Sequence, residues 1–254
     1  MQASARRFYD ELASEYHSMF EDWDGSIERQ ARTLGPLLER ECGRADTIRV
    51  LDCACGIGTQ TLGLAARGFR MTGSDISEAA IERARTEASK RGLDVSFAVA
   101  DLRDLDGLRE SGFDAAIAMD NALPHLESEE ELARAAAQIR GKLRSGGTFV
   151  ASIRDYDRLI HERPTVQGPA FYSDGGSRRI IFQLWDWLDE RRYAFHLYIT
   201  RQTESGWDTR HFASTYRAVL RDELTGILSS SGFRGVRWLF PEESGYYQPM
   251  VFAR

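Results

Sequence analysis

One ten-residue stretch constrains the fold more than any other: Val50-Leu51-Asp52-Cys53-Ala54-Cys55-Gly56-Ile57-Gly58-Thr59. A short apolar run ends on a carboxylate, a glycine-rich turn follows, and a helical pattern opens at Thr59. Glycine lets the backbone turn sharply and lie close against a ligand. Turns of this kind after a first strand also serve dinucleotides and phosphates. The dinucleotide pattern wants a third glycine where this chain has Thr61, and a phosphate loop wants Gly-Lys-Ser/Thr after its glycines. A carboxylate beside the turn suits a cationic or neutral ligand better than a pyrophosphate.

Strand and helix patterns then alternate. Ile48–Leu51, Phe69–Gly73, Val95–Val99, Phe113–Ala118 and Thr148–Ile153 are predicted strands. Between them lie a helix over Thr59–Ala66 and another from the N-cap Ser77 to about Arg91. A third opens on the capping box at Ser128 and runs to Leu143, with Gly146-Gly147 as its stop. Such alternation predicts a doubly wound α/β fold, a Rossmann-like seven-stranded sheet covered on both faces. Ahead of it, residues 5–42 are predicted to form two helices, broken at Trp23-Asp24-Gly25. Residues 155–178 are polar and punctuated by Pro and Gly. Three aromatic-rich antiparallel strands follow at Ile180–Leu188, Arg192–Arg201 and Trp207–Val219. A helix over Arg221–Ser230 and strands near Val236–Phe240 and Met250–Phe252 return to the main sheet. The expected layout is a helical cap over 1–44, a core over 45–154 and 220–254, and a small antiparallel β insertion over 155–219 covering the site.

Bulk properties exclude several classes. A net charge of −6 disfavours nucleic acid as the main partner, since phosphate binding wants a basic face. No apolar run approaches the roughly 20 residues that cross a bilayer, and the N-terminus turns acidic too quickly for a signal peptide. Three cysteines make no disulfide framework. The expectation is a reduced cytoplasmic protein without a membrane partner, and homo-oligomers stay open. Cys53 and Cys55 lack further Cys or His at ligand spacing, so they are taken as small buried residues and no metal is expected.

Two more carboxylates stand at strand ends: Asp75 after the second strand and Asp101 after the third. An acid about 20 residues beyond the glycine turn suits ribose hydroxyls, and one after the third strand can accept from an adenine amino group. A lone surface Asp is usually a solvated loop residue; three at successive strand ends are harder to dismiss. Together they resemble class I methyltransferases over roughly residues 45–154, with Leu143-Arg144-Ser145-Gly146-Gly147 as that family's turn before its fifth strand. The resemblance implies S-adenosylmethionine as cofactor, with S-adenosylhomocysteine as product. It implies a site of Asp52, Ala54, Gly56, Gly58, Asp75, Ile76, Asp101, Leu102 and Met119. Tyr16, Trp23 and Arg29 would fold over the cofactor, Arg29 or its rival Arg32 taking the cofactor's carboxylate.

A second resemblance is to glycine and glycine/sarcosine N-methyltransferases. Met119-Asp120-Asn121-Ala122-Leu123-Pro124-His125-Leu126, Ile153-Arg154-Asp155-Tyr156-Asp157 and Tyr246-Tyr247-Gln248-Pro249 carry it. It implies a small-molecule acceptor bearing a carboxylate, gripped by Arg154 with help from Asn121, in a pocket lined by Tyr172, Tyr198 and Tyr216. Arg is the side chain whose planar fork matches a carboxylate; a salt bridge to Asp155 or Asp157 is the alternative. The three tyrosines could equally be strand packing. His125 is either a base or a core histidine. Asp120 departs from that family's glycine and puts charge and bulk beside the acceptor amine, where it suits an ammonium or a larger amine. Competing readings are a methyltransferase for a hydroxyl, carboxyl or amine of a specialised metabolite, and a catalytically silent cofactor-binding regulator.

Overall fold

The computed structural model describes residues 5–43 and 47–254; residues 1–4 of the expected cap and its boundary at 44/45 lie outside the described residues. The chain opens with α1 (Ala5–Leu12), a 3-10 turn (Tyr16–Met19) and α2 (Trp23–Cys42). The Trp23-Asp24-Gly25 segment does not break a helix but starts one, because the Asp22 side chain accepts from the Gly25 N–H at 3.0 Å and caps α2. Ile27, Ala31, Leu34 and Leu38 recur at helical spacing and are all buried. A side chain at Gly63 would stand 2.6 Å from the Ile27 carbonyl, so glycine there lets α3 (Thr59–Ala66) approach α2.

The core continues through β1 (Arg49–Asp52), β2 (Arg70–Asp75), α4 (Glu78–Lys90), β3 (Ser96–Val99), β4 (Phe113–Ala118), α5 (Glu129–Lys142) and β5 (Leu143–Ser152). It ends with α7 (Arg221–Ser230), β10 (Arg237–Leu239), α8 (Pro241–Ser244) and β11 (Met250–Ala253). The seven strands lie in the order β10-β11-β5-β4-β1-β2-β3, with β1 to β5 parallel and β11 antiparallel to both its neighbours. The predicted fold class therefore holds. The strand order reverses at β1, and the crevice beyond the carboxyl ends of such strands is where α/β sheets bind ligands.

Two further expectations need correction. Gly146-Gly147 do not separate α5 from β5: the strand begins at Leu143, and its pairing with β4 jumps from Phe113↔Leu143 to Ala115↔Thr148. The glycines form a bulge within the strand, Gly146 taking φ +73°. Second, the polar stretch after Arg154 is ordered as α6 (Tyr156–Glu162) and β6 (Val166–Asp174). With β7 (Ser177–Trp187), β8 (Arg192–Thr203) and β9 (Gly206–Arg217), β6 makes a four-stranded antiparallel sheet rather than three strands. Its inner face, including Trp185, Tyr193, Phe195 and Leu197, is buried in one cluster with Phe8 and Leu12 of α1 and the main sheet. No helix among the described residues is long and apolar enough to cross a membrane.

Candidate active site

β1 delivers the chain into the glycine turn, which is fastened on both sides: Cys53 N–H donates to Ile117 O at 2.8 Å and Cys55 N–H to Ser74 O at 3.0 Å. Gly58 sits at φ +97°, where L side chains rarely go, and opens α3. Asp75, at the tip of β2, accepts from Gly56 N–H at 2.8 Å and Ser77 N–H at 2.9 Å, so the second strand end is tied to the turn. Burial raises the Asp75 carboxyl above the usual range despite these bonds. Cys53 and Cys55 are buried thiols beside the turn, and burial pushes both well above the ordinary thiol range.

A first cavity of about 790 Å³ lies against this edge. It brings together the predicted residues Tyr16, Ala54, Gly56, Asp75, Ile76, Asp101, Leu102, Met119, Asp120 and His125. Asp101 accepts from the Arg103 backbone N–H at 2.8 Å and from its guanidinium. Burial alone would raise the Asp101 carboxyl, and Arg103 outweighs it and holds it low.

Other predicted residues stand elsewhere. Asp52 and Gly58 do not line the cavity. Asp52 is buried behind the turn, accepting from Thr61 Oγ1 at 2.6 Å, and desolvation lifts it to about 7. It shapes the turn rather than facing a ligand. Trp23 is also behind, its indole N–H donating to Thr59 Oγ1 at 2.9 Å; Thr59 itself faces the cavity. Arg29 lines a different space, and its rival Arg32 points to solvent.

That space is a second cavity of about 1530 Å³, sharing Tyr9, Tyr16 and Asp120 with the first. Arg154, Asn121 and Tyr216 line it, as predicted together. The Arg154 guanidinium donates to Tyr193 OH at 2.8 Å and lies 4.6 Å from the Trp185 ring centroid. The alternative of a salt bridge to Asp155 or Asp157 fails, because both carboxylates turn to Arg221. Asn121 is engaged structurally, its Oδ1 accepting from Arg154 N–H and its Nδ2 donating to Tyr156 OH, each at 3.0 Å.

Tyr198 and Tyr172 do not reach either cavity. Successive strand residues face opposite ways, and on β8 the inward set is Tyr193, Phe195 and Leu197. Tyr198 therefore stacks outside, between Phe182 and His211. Tyr172 is on the edge strand, under the Arg179 guanidinium. Sequence reasoning missed Tyr193, Gln183, Tyr9 and Gln60. Parity with Phe195 would have found Tyr193; the others carry no local signal. His125 receives or donates a bond with Tyr9 OH at 2.9 Å and packs 4.2 Å from the Tyr216 ring. Desolvation, with Arg154 nearby, lowers it to about 3, so it is a neutral ring and a weak base at neutral pH.

The first cavity fits a nucleoside carrying a positive centre. Its glycine at Gly56 leaves open space where a Cβ would stand, carboxylates wait at two strand ends, and its one lining arginine, Arg103, is already paired with Asp101 and Glu131.

Comparisons agree. Residues 50–147 match the family model described as a methyltransferase domain. A glycine/sarcosine N-methyltransferase from Halorhodospira halochloris is 27% identical over 190 residues, 74% of this chain and 71% of that protein. The chain spans between 52% and 71% of the length of the curated relatives it matches. Streptomyces venezuelae DesVI has a TM-score of 0.77 at 19% identity, covering 100% of this chain and 99% of that one. CalS10, an S-adenosylmethionine-bound amino pentose methyltransferase from Micromonospora echinaspora, has 0.74 at 18% identity, covering 94% of each. The glycine turn, the strand order and these matches converge: over residues 50–147 the chain carries a methyltransferase domain, built on the fold of S-adenosylmethionine-dependent methyltransferases.

Proposed function

We propose that this chain transfers a methyl group from S-adenosylmethionine to the amine nitrogen of a small molecule that also carries a carboxylate. When bound, the cofactor supplies an electrophilic methyl on a sulfonium. Asp75 would accept from its ribose hydroxyls, Asp101 and Leu102 would hold the adenine, and Tyr16 and Met119 would close the walls of the cavity they line. The observation that carries the acceptor assignment is Arg154. Its guanidinium lines the second cavity, and its side-chain hydrogen-bond partners among the described residues, Tyr193 and Gln183, are neutral. A cation held among Trp185, Phe195 and Tyr216 without an anion is a ready receptor for a carboxylate. Little acid–base chemistry is asked of the protein: it aligns a neutral amine with the methyl and excludes water. His125 orders Tyr9 at the seam between the cavities rather than taking a proton.

A second reading is a larger amine of a specialised metabolite. The second cavity favours it: counted with its opening to solvent it spans about 1530 Å³, against about 790 Å³ for the first. Incubation with methyl-labelled S-adenosylmethionine and glycine, sarcosine, dimethylglycine, or larger amino acids and amino sugars separates the two. Label on glycine or sarcosine supports the first reading, and label only on larger amines supports the second. No label on any amine contradicts both.

A further inference from the structure

The third strand end carries more than its carboxylate. Arg103, two residues beyond Asp101, turns back on it: Nε donates to Oδ1 at 2.9 Å and Nη2 to Oδ2 at 2.6 Å. The planar fork thus spans both oxygens, and the Arg103 backbone N–H adds a bond to Oδ1 at 2.8 Å. Together these donors leave the carboxylate one orientation. The fork is held from behind as well. Its Nη1 donates to Glu131 Oε1 of α5, while Glu131 Oε2 accepts the Glu127 N–H at 2.8 Å. The Glu131 N–H in turn donates to Ser128 Oγ at 3.2 Å, so Arg103 leans on the capping box that opens α5. Asp101 and Arg103 both line the first cavity, with side chains 28% and 33% exposed. An ion pair as open as this adds little to stability. One that fixes a carboxylate on a cavity wall sets what that carboxylate can meet.

We propose that Arg103 is a positioning residue for the cofactor's base: it aims Asp101 at an exocyclic amino group, so that the cavity takes a 6-amino purine and refuses a 6-oxo one. This rests on the first cavity being the cofactor site, and it names what the base end of that site discriminates. An amino group donates to a carboxylate, whereas an oxo oxygen is repelled by it. A protonated carboxyl reverses the preference, because it donates to the oxo group instead. Selection therefore needs Asp101 ionised. Burial works against that, and Arg103 outweighs burial. The charged groups around Asp101 are Arg103 and Asp104 of its own loop and Glu131 and Arg134 of α5. Without the guanidinium, only Arg134 and the backbone N–H oppose burial. Tyr9, Tyr16, Asp75, Asp120 and His125 stand elsewhere on the cavity wall.

Calorimetry with S-adenosylhomocysteine and its 6-oxo counterpart, S-inosylhomocysteine, tests this without turnover. The ratio of the two affinities is followed from about pH 5 to about pH 8, because groups that meet both ligands alike cancel in it. The wild type is expected to prefer the adenosyl ligand about ten-fold, with a ratio flat across the range. In Arg103→Met the ratio shrinks several-fold as pH falls, since burial lifts Asp101 and the carboxyl takes up a proton. Arg103→Lys keeps the charge without the fork and gives a smaller ratio that stays flat, which covers the case of a Met variant that does not fold. Asp101→Asn, whose amide can donate to an oxo group, loses the adenosyl preference at every pH. An Arg103→Met ratio as large and as flat as the wild type's overturns the proposal and leaves the cofactor reading intact. So does a wild-type chain that binds both ligands alike. A brace that only supported the loop would weaken both ligands together and leave the ratio unchanged. Failure of the wild type to bind either ligand contradicts the cofactor reading itself, and the proposal with it.

Discussion

The two cavities meet at Tyr9, Tyr16 and Asp120 but are built on opposite plans. The first is built on a backbone turn shaped by glycines at positive φ, with carboxylates beyond the ends of β2 and β3. Those groups come from consecutive strands of one parallel sheet. The second is made by side chains gathered from α1, α2, the β4 and β5 ends, β7, β8, β9 and the segment before β11. A cavity of the first kind tolerates sequence change as long as the turn survives. One of the second kind changes its ligand with a single side chain. A common cofactor half and a variable acceptor half follow from that difference alone.

The comparison breaks if substitutions in one cavity disturb the other. The largest effect is expected from Arg154→Ala: loss of a charge-assisted carboxylate contact should lower kcat/KM for a carboxylate-bearing amine on the order of 100-fold. Steady-state kinetics against glycine or sarcosine check it, and an unchanged value would remove Arg154 from the acceptor site. A smaller effect separates the faces of β8. Tyr193→Phe removes the hydroxyl beside Arg154 and should cost about ten-fold in kcat/KM, whereas Tyr198→Phe, on the outer face, should cost nothing measurable. Equal effects would show that the parity assignment is wrong.

The smallest effect concerns the turn. Asp52 titrates near 7 in the folded chain against about 3.9 unfolded, so between those values the folded state holds a proton that the unfolded state has released. Its contribution to stability is full below about pH 4 and is lost as pH rises through about 7. Asp52→Asn should therefore flatten the fall in Tm of the cofactor-free protein between about pH 5 and pH 8, measured by thermal scanning of both forms. A steeper fall in the variant would contradict it.

What the sequence disclosed follows the same division. β1, the glycine turn, α3 and the acids at Asp75 and Asp101 are contiguous signals, because local backbone geometry demands glycine and strand ends demand a change of polarity. Asp52 was legible as part of the motif but not as a buried prop, since burial depends on Thr61 and the helix behind it. The acceptor side was legible only where a strand end fixes a residue, as for Arg154. Tyr193 was hidden by a period-2 choice made one position out. Tyr9, Gln60 and Gln183 converge from distant segments, and nothing local marks them. The polar texture of 155–178 concealed β6, an edge strand whose exposed side needs no apolar residues.

Calorimetric titration of S-adenosylmethionine into the wild-type chain, Asp75→Ala and Arg154→Ala tests the central claim most directly. The account predicts one site of micromolar affinity in the wild type, at least about ten-fold weaker in Asp75→Ala and unchanged in Arg154→Ala. No heat of binding, or an Arg154→Ala loss as large as that of Asp75→Ala, would contradict the assignment of the first cavity to the cofactor and the second to the acceptor.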